Sequence, residues 1–244
     1  MRHDKQNILV TRPLAGQQIE YARILGLNPV VEPALEFRFP EYWDEVLEKI
    51  NSHPKSAWAF TSSNGVKALA RLMDAGLQVR PEKQLYAVGV KTREALRELG
   101  LDAKIPRIQD GEHLGELITR EGNIHSVIHF HGNLSRKEMS NRLIQEDIEV
   151  IRLEVYETII KPVSMPEKPV SAVLFCSPSA VEGFKQGQGF DDELPALFAI
   201  GSTTAEALRQ ETDQKIEVAD EPDVELLLRT AADYLFNKDE IEHE

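Results

Sequence analysis

The sequence predicts an α/β protein made of two parallel-sheet units that repeat one another. Its clearest signal is an internal sequence repeat. The offset between matched segments is 115 residues from Phe60 to Phe175 and 112 residues from Ala87 to Ala199. Such near-equal offsets indicate a duplicated supersecondary unit. The matched segments are residues 58–66 with 173–181, 87–96 with 199–208 and, more faintly, 8–13 with 128–133.

Short apolar runs predict strands that are buried on both faces of a parallel sheet. Helical patterns follow these runs; Val66 and Met73, for example, lie on one face of a predicted helix. Gly26, Gly76 and Gly100 mark helix ends, where a glycine turns and an apolar residue folds back. This strand–turn–helix rhythm predicts parallel sheets with helices on both faces. The runs are residues 8–10, 57–60, 85–88, 127–130, 172–175 and 197–200.

Two stretches depart from this rhythm. Residues 35–39 and 155–159 alternate apolar and polar side chains, as half-exposed strands do. Residues 161–169 contain three prolines and are typical of a connector. From the residues alone, the simplest domain boundary falls near residues 121–123, between the two halves of the chain.

Composition places the chain among ordinary globular proteins of one or two domains. It has 244 residues, of which 41% are hydrophobic and 28% charged. No apolar run approaches the ~20 residues of a membrane span, and the first residues lack the apolar core of a signal peptide. The single cysteine, Cys176, excludes an internal disulfide and favours a reducing compartment. We therefore expect a cytoplasmic protein with no membrane partner, and a monomer.

The net charge of −13 argues against nucleic acid as a partner, since that binding needs a basic footprint. It also means that an anionic ligand must be held by local donors and not by the overall field.

Such donors are predicted at the turns that follow the strands, because all strand-to-helix turns of a parallel sheet lie at its carboxyl edge. The first turn of each following helix offers free N–H groups and the positive end of the helix dipole. Together the turns predict a shared site for several carboxylates or phosphates. The alternative is that each Ser, Thr or Asn only caps its own helix. The turns are residues 11–13, 61–65, 89–92, 131–135, 177–180 and 201–204.

Other kinds of site lack a complete motif. His129 and His131 are spaced to share a metal, but no carboxylate or cysteine completes the set. Neither a dinucleotide fingerprint nor a P-loop is present. Ser177 and Ser179 lack a nucleophile-elbow glycine pattern, and Cys176 ends an apolar run, as a small buried residue does. We therefore expect neither metal nor cofactor. Tyr156, on the second alternating stretch, is either a structural tyrosine or part of the site.

Four short motifs carry a family resemblance: residues 60–62, 155–157, 175–181 and 199–208. In these motifs the chain resembles the uroporphyrinogen-III synthases, and the resemblance extends over residues 7–235. It implies two nested flavodoxin-like domains, residues 1–36 plus 160–244 and residues 37–159, in place of a cut near 121–123. The alternating stretches then form a paired β linker, with a cleft between the carboxyl edges of the domains.

The resemblance implies a cyclising lyase. Its substrate is hydroxymethylbilane, a linear tetrapyrrole with eight carboxylates. The enzyme removes the ring A hydroxyl as water and closes the macrocycle to uroporphyrinogen III with ring D inverted, through a spiro intermediate. No cofactor is implied, and the main task of the protein is to hold the two ends in one geometry.

Tyr156 matches the cleft tyrosine of that family, so its hydroxyl is expected to donate a proton to the departing group. Many relatives carry Arg-Gly where this chain has His131-Gly132, a departure that Arg12 or Arg136 could compensate. The residues expected to bind substrate carboxylates, from the turns and the resemblance together, are Arg12, Ser62, Ser63, Asn64, Thr92, His131, Gly132, Ser177, Ser179, Ala180, Ser202, Thr203 and Thr204. The alternative function is a non-catalytic hinge-cleft module that binds a small anion, because fold does not fix function.

Overall fold

The computed structural model describes residues 5–191 and 193–241, with the backbone alone for 237–241. Within them the fold is mixed α/β, with two five-stranded sheets. In chain order the elements are β1 (Gln6–Val10), α1 (Gly16–Ile24), β2 (Leu27–Val31), β3 (Leu35–Arg38), α2 (Asp44–Ser52), β4 (Ala57–Phe60), α3 (Ser63–Asp74), β5 (Leu85–Ala87), α4 (Val90–Glu98), α5 (Gly111–Arg120), β6 (Ser126–Gly132), α6 (Glu138–Gln145), β7 (Glu149–Ile160), β8 (Ala172–Phe175), α7 (Pro178–Gly187), β9 (Ala196–Ala199), α8 (Ser202–Arg209), β10 (Ile216–Val218) and α9 (Val224–Ile241).

The chain divides into two compact units. One consists of Met1–Glu36 with Ile159–Glu244, and the other of Phe37–Thr158. The boundary that the residues alone favoured, near 121–123, falls inside the second unit and is wrong. The reason is strand pairing: β6, which follows that point, lies between β4 and β7 in one sheet.

The sheet of the first unit has the order β10-β9-β8-β1-β2, with parallel pairing throughout. Counted along this unit's own strands, that is the doubly wound order 2-1-3-4-5. Side chains alternate across β1: Ile8 and Val10 pack with α1 and α9, and Leu9 packs with α7 and α8. The sheet is therefore covered on both faces, as its apolar strands require.

The second sheet has the order β3-β7-β6-β4-β5, and β4–β5, β4–β6 and β6–β7 pair in parallel. Ile128 and Phe130 of β6 pack with α3 and α4 on one face. Val127 packs with α5 and α6 on the other. Helix α3, which follows β4, packs on one face of the sheet, and α6, which follows β6, packs on the other. The chain therefore leaves these two neighbouring strands toward opposite faces.

The six predicted strands and the helix stops are confirmed. Each apolar run contains a strand, and Gly26, Gly76 and Gly100 have the positive φ expected after a helix. The alternating stretches lie in β3 and the second half of β7, which neighbour one another in the sheet. Among the described residues, no helix is long and apolar enough to cross a membrane.

Candidate active site

A crevice of about 630 Å³ opens in the second unit at the carboxyl edge of its sheet. It lies beside β4 and β6, whose following helices leave toward opposite faces, and such switch points are where open α/β sheets bind ligands. The predicted residues Ser62 and Tyr156 both line it. The lining residues are Thr61, Ser62, Val88, Gln109, Asp110, Gly111, Glu112, Leu134, Ser135, Arg136, Glu138, Met139, Tyr156 and Thr158.

The Tyr156 ring is held by packing, and its hydroxyl is left for a ligand. The ring centroid lies 6.2 Å from that of Phe37 and 6.3 Å from that of Phe39. No described residue forms a hydrogen bond with the hydroxyl, and the half-buried residue lines the crevice.

Gly132 allows the tyrosine ring to approach the backbone. A Cβ at this position would lie 2.9 Å from Tyr156 Cδ2 and closer still to Cε2 and Cζ. The register between β6 and β7 also shifts at His131/Gly132. Because the ring covers its Cα, Gly132 makes room for the catalytic candidate.

The end of β7 is fixed by a side chain from the neighbouring loop. The Asn133 amide accepts a hydrogen bond from Thr158 N at 2.8 Å and donates one to Thr158 O at 3.2 Å. Asn133 N donates to Tyr156 O at 3.3 Å. The backbone on both sides of the tyrosine is therefore anchored.

Two of the predicted serines are helix caps. Ser62 Oγ accepts from Asn64 N at 3.1 Å, and Ser177 Oγ accepts from Ala180 N at 3.2 Å. For these two hydroxyls the capping explanation holds. Their caps leave the N–H groups of Ser63 and Ser179 without a partner among the described residues.

Helices α4 and α8 begin after glycines and have no side-chain cap. At α4, Val90 N donates to Gln109 Oε1 at 2.9 Å. At α8, the backbone N–H groups of Ser202, Thr203 and Thr204 donate to no described residue. Of these two helix starts, that of α8 therefore keeps more N–H groups without a partner among the described residues.

Several predicted side chains are buried and leave only backbone to a ligand. Thr92 is 5% exposed, Thr204 3%, His131 6% and Ala180 1%. His131 and Gly132 end strand β6 and do not lie in a turn, which corrects the predicted loop. His131 Nδ1 lies 2.8 Å from the oxygen of Gly132.

The predicted site residues fall in both units, and only some of those in the second unit line the crevice. Of those in the second unit, Ser62 and Tyr156 line the crevice. The other five are not among its lining residues; they are Ser63, Asn64, Thr92, His131 and Gly132. Arg136, considered as a replacement for the missing family arginine, also lines it. The predicted residues in the first unit lie at or just beyond the carboxyl ends of β1, β8 and β9; they are Arg12, Ser177, Ser179, Ala180, Ser202, Thr203 and Thr204.

Sequence reasoning missed the acidic side of the crevice. Asp110 caps α5, accepting from His113 N at 2.9 Å, and its carboxylate lies 2.8 Å from the ring nitrogen of His113. These hydrogen bonds lower the pKa of Asp110. Glu112 and Glu138 form no ion pair with any described residue. An Asp-x-x-His pattern before an apolar helix was the available signal for Asp110; nothing local marked Glu138.

The sequence analysis weighed His129 only as a metal ligand and did not predict its hydrogen bonds in the core. His129 is 0% exposed, and its Nε2 lies 2.9 Å from Thr61 Oγ1. Burial, aided by His131 and Arg152, lowers the pKa of His129 to about 3, so the ring is neutral. Within residues 5–191 and 193–241 no three metal-ligating side chains form a cluster.

Comparison with known proteins connects this fold to one family. A family model described as uroporphyrinogen-III synthase HemD matches residues 17–229. Two solved structures are similar at a TM-score of 0.66: a mutant uroporphyrinogen III synthase from Thermus thermophilus, 18% identical over 95% of this chain and 99% of that one, and the Helicobacter pylori enzyme, 20% identical over 94% and 99%. At these identities the structural likeness shows the fold alone. No curated protein matches the sequence.

Proposed function

This chain belongs to the uroporphyrinogen-III synthase family, and from that premise we propose how its residues perform the reaction. The enzyme cyclises hydroxymethylbilane to uroporphyrinogen III, with inversion of ring D and loss of water. The observation that carries the assignment of roles is the unpartnered Tyr156 hydroxyl in the crevice of the second unit.

Tyr156 is the general acid. Its hydroxyl donates a proton to the ring A hydroxyl, which leaves as water. The methylene carbon left behind is attacked by ring D, giving a spiro intermediate on the way to the inverted ring. The proton that ring D finally loses balances the one that the tyrosine gave.

Glu112 and Glu138 complement the positive charge that develops when the hydroxyl departs. Both line the crevice with the tyrosine, and neither is neutralised by a described cation. Their carboxylates also suit pyrrole N–H donors. Opposite charge placed where transition-state charge develops is an effective form of catalysis in a site of this kind.

Carboxylates of the substrate are bound by backbone N–H groups and not mainly by cations. The free N–H groups of Ser63, Ser179 and the first turn of α8 are the proposed donors, with Arg12 and Arg136 as the nearby cations. This arrangement fits a protein with a net charge of −13, since helix N-termini bind anions without a basic patch. Thr92, His131 and Ala180 contribute through backbone only, because their side chains are buried.

We also propose that the two compact units are nested domains of common origin, residues 1–36 plus 160–244 and residues 37–159. Two observations support this. The units differ from those bounds only at Ile159. The matched segments also occupy corresponding strands: β9-β8-β1-β2 in one sheet corresponds to β5-β4-β6-β7 in the other. A monomeric, cytoplasmic enzyme remains our prediction from the sequence.

The test is the isomer composition of the product. The protein is incubated with freshly prepared hydroxymethylbilane, and the oxidised porphyrins are separated by chromatography. Isomer III is expected, whereas the spontaneous isomer I alone would indicate the non-catalytic alternative.

A further inference from the structure

A line of buried polar groups lies behind the crevice in the second unit. His129 Nδ1 lies 3.4 Å from Ser140 Oγ, and Arg152 Nη1 donates to that oxygen at 3.3 Å. At the other end, His129 Nε2 lies 2.9 Å from Thr61 Oγ1. Ser140 is 3% exposed and His129 is 0% exposed, whereas Thr61 is half-buried and lines the crevice. The line therefore runs from a guanidinium to the ligand site.

The hydrogen bonds of His129 fit either ring tautomer, and one of the two makes the line a continuous chain of donors. A guanidinium only donates, so Ser140 Oγ accepts from Arg152 and has its own proton left. His129 Nδ1 is its nearest described acceptor. Because burial keeps the His129 ring neutral, one ring nitrogen accepts and the other donates. In the tautomer that continues the chain, Nδ1 accepts from Ser140 and Nε2–H donates to Thr61 Oγ1.

With its oxygen already accepting, the Thr61 hydroxyl has its proton left to donate. No described residue accepts that proton. Each group in the line donates in the same direction, away from the positive charge of Arg152. The successive hydrogen bonds of such a chain polarise and strengthen one another.

We propose that His129 is a positioning residue, which holds the Thr61 hydroxyl as a donor to a carboxylate of the substrate. The proposal rests on the proposed function for the identity of the substrate. A donor is needed at this point because the crevice is lined by Asp110, Glu112 and Glu138, with Arg136 as its only cationic lining residue among the described ones. A neutral donor binds a carboxylate without also neutralising the acidic groups.

The kinetic test compares two substitutions at one position. Thr61→Val keeps the shape and removes the hydroxyl, and Thr61→Ser keeps the hydroxyl. Because a hydrogen bond to a charged group is involved, KM for hydroxymethylbilane should rise roughly tenfold or more in Thr61→Val, with kcat nearly unchanged. The melting temperature should fall in this variant, because the buried Nε2–H of His129 loses its acceptor. Thr61→Ser should stay within about threefold of wild type. An unchanged KM in Thr61→Val, in a protein whose wild type forms isomer III, would overturn the donor role.

The second test does not depend on substrate. Nitrogen-15 NMR of protein labelled at histidine reports the tautomer of each ring, and the His129→Gln variant identifies the His129 signals. The expected tautomer carries its proton on Nε2, and Ser140→Ala should weaken that preference. A proton on Nδ1 in the wild type would overturn the proposed chain even if the enzyme is active. Failure to form isomer III would instead reject the proposed function and leave the tautomer result standing.

Discussion

Replacing Gly132 by alanine would place a methyl group where the Tyr156 ring lies. The added carbon would be 2.9 Å from Cδ2 and nearer still to Cε2 and Cζ. Since carbon–carbon contacts are most favourable at about 3.5–4.0 Å, the ring must move by roughly 1 Å or the strands must separate. Overpacking of this kind costs about 1–3 kcal/mol of unfolding free energy. A displacement of about 1 Å at a catalytic group can reduce the rate by up to ~100-fold.

The assay is single-turnover formation of isomer III together with a thermal melt. For Gly132→Ala we expect the rate to fall by roughly 10- to 100-fold and the Tm to fall by roughly 2–4 °C for each kcal/mol lost. Gly111→Ala is the matched control, because Gly111 lines the same crevice but its added Cβ meets no atom nearer than 3.5 Å. That variant should behave as wild type.

A double substitution separates the ring contact from any other effect. In a Tyr156→Ala background the ring is gone, so Gly132→Ala should cost almost no further stability, and the two changes should be strongly non-additive. Wild-type rate and Tm in Gly132→Ala would refute the reasoning. So would an equal loss of stability in both backgrounds.

Three further predictions concern groups outside the tyrosine. Ser202→Pro removes one free N–H at the first position of α8, where proline is tolerated because Gly201 before it is extended. KM for hydroxymethylbilane should rise roughly tenfold in this variant, whereas Ser202→Ala, which keeps the N–H, should leave KM unchanged. Burial lowers the pKa of His129 from 6.5 to about 3. At a pH between these two values, the unfolded chain binds a proton on His129 that the folded chain does not bind. Urea melts should therefore show stability falling by up to about 1.4 kcal/mol per pH unit as the pH drops through that window, and His129→Gln should remove this part. Burial raises the pKa of Cys176 to about 11, so iodoacetamide at about pH 8 should label the unfolded protein much faster than the native one; rapid native labelling would contradict this.

Local patterns predicted the strands well because buried parallel strands are short continuous apolar runs, as at residues 57–60 and 172–175. The position of β6 between β4 and β7 depends on pairing between distant segments, so the residues alone put the domain boundary in the wrong place. Only the family resemblance suggested a nested division.

The same limits explain the site. Ser62 was predicted because it follows the apolar run of a buried strand. Tyr156 was predicted because it lies on an alternating stretch that departs from the strand–turn–helix rhythm. Thr92 and Thr204 were expected to face the ligand, yet each lies four residues before a buried leucine, Leu96 or Leu208, on the core-facing side of its helix. That spacing was readable in the sequence. Glu138 could not be found in this way, because it reaches the crevice from the first turn of α6, and no local pattern marks which residue of that turn faces the crevice.

The most direct test of the central claim is the Tyr156→Phe substitution, which deletes one hydroxyl and keeps the ring. Single-turnover formation of isomer III should slow by about 100-fold or somewhat less, at the low end for general-acid assistance, because the hydroxymethyl group of an electron-rich pyrrole already leaves readily. The melting curve and the affinity for the bilane should be nearly unchanged. A wild-type rate in a folded Tyr156→Phe protein would contradict the assignment, and orientation of the substrate alone would then account for catalysis.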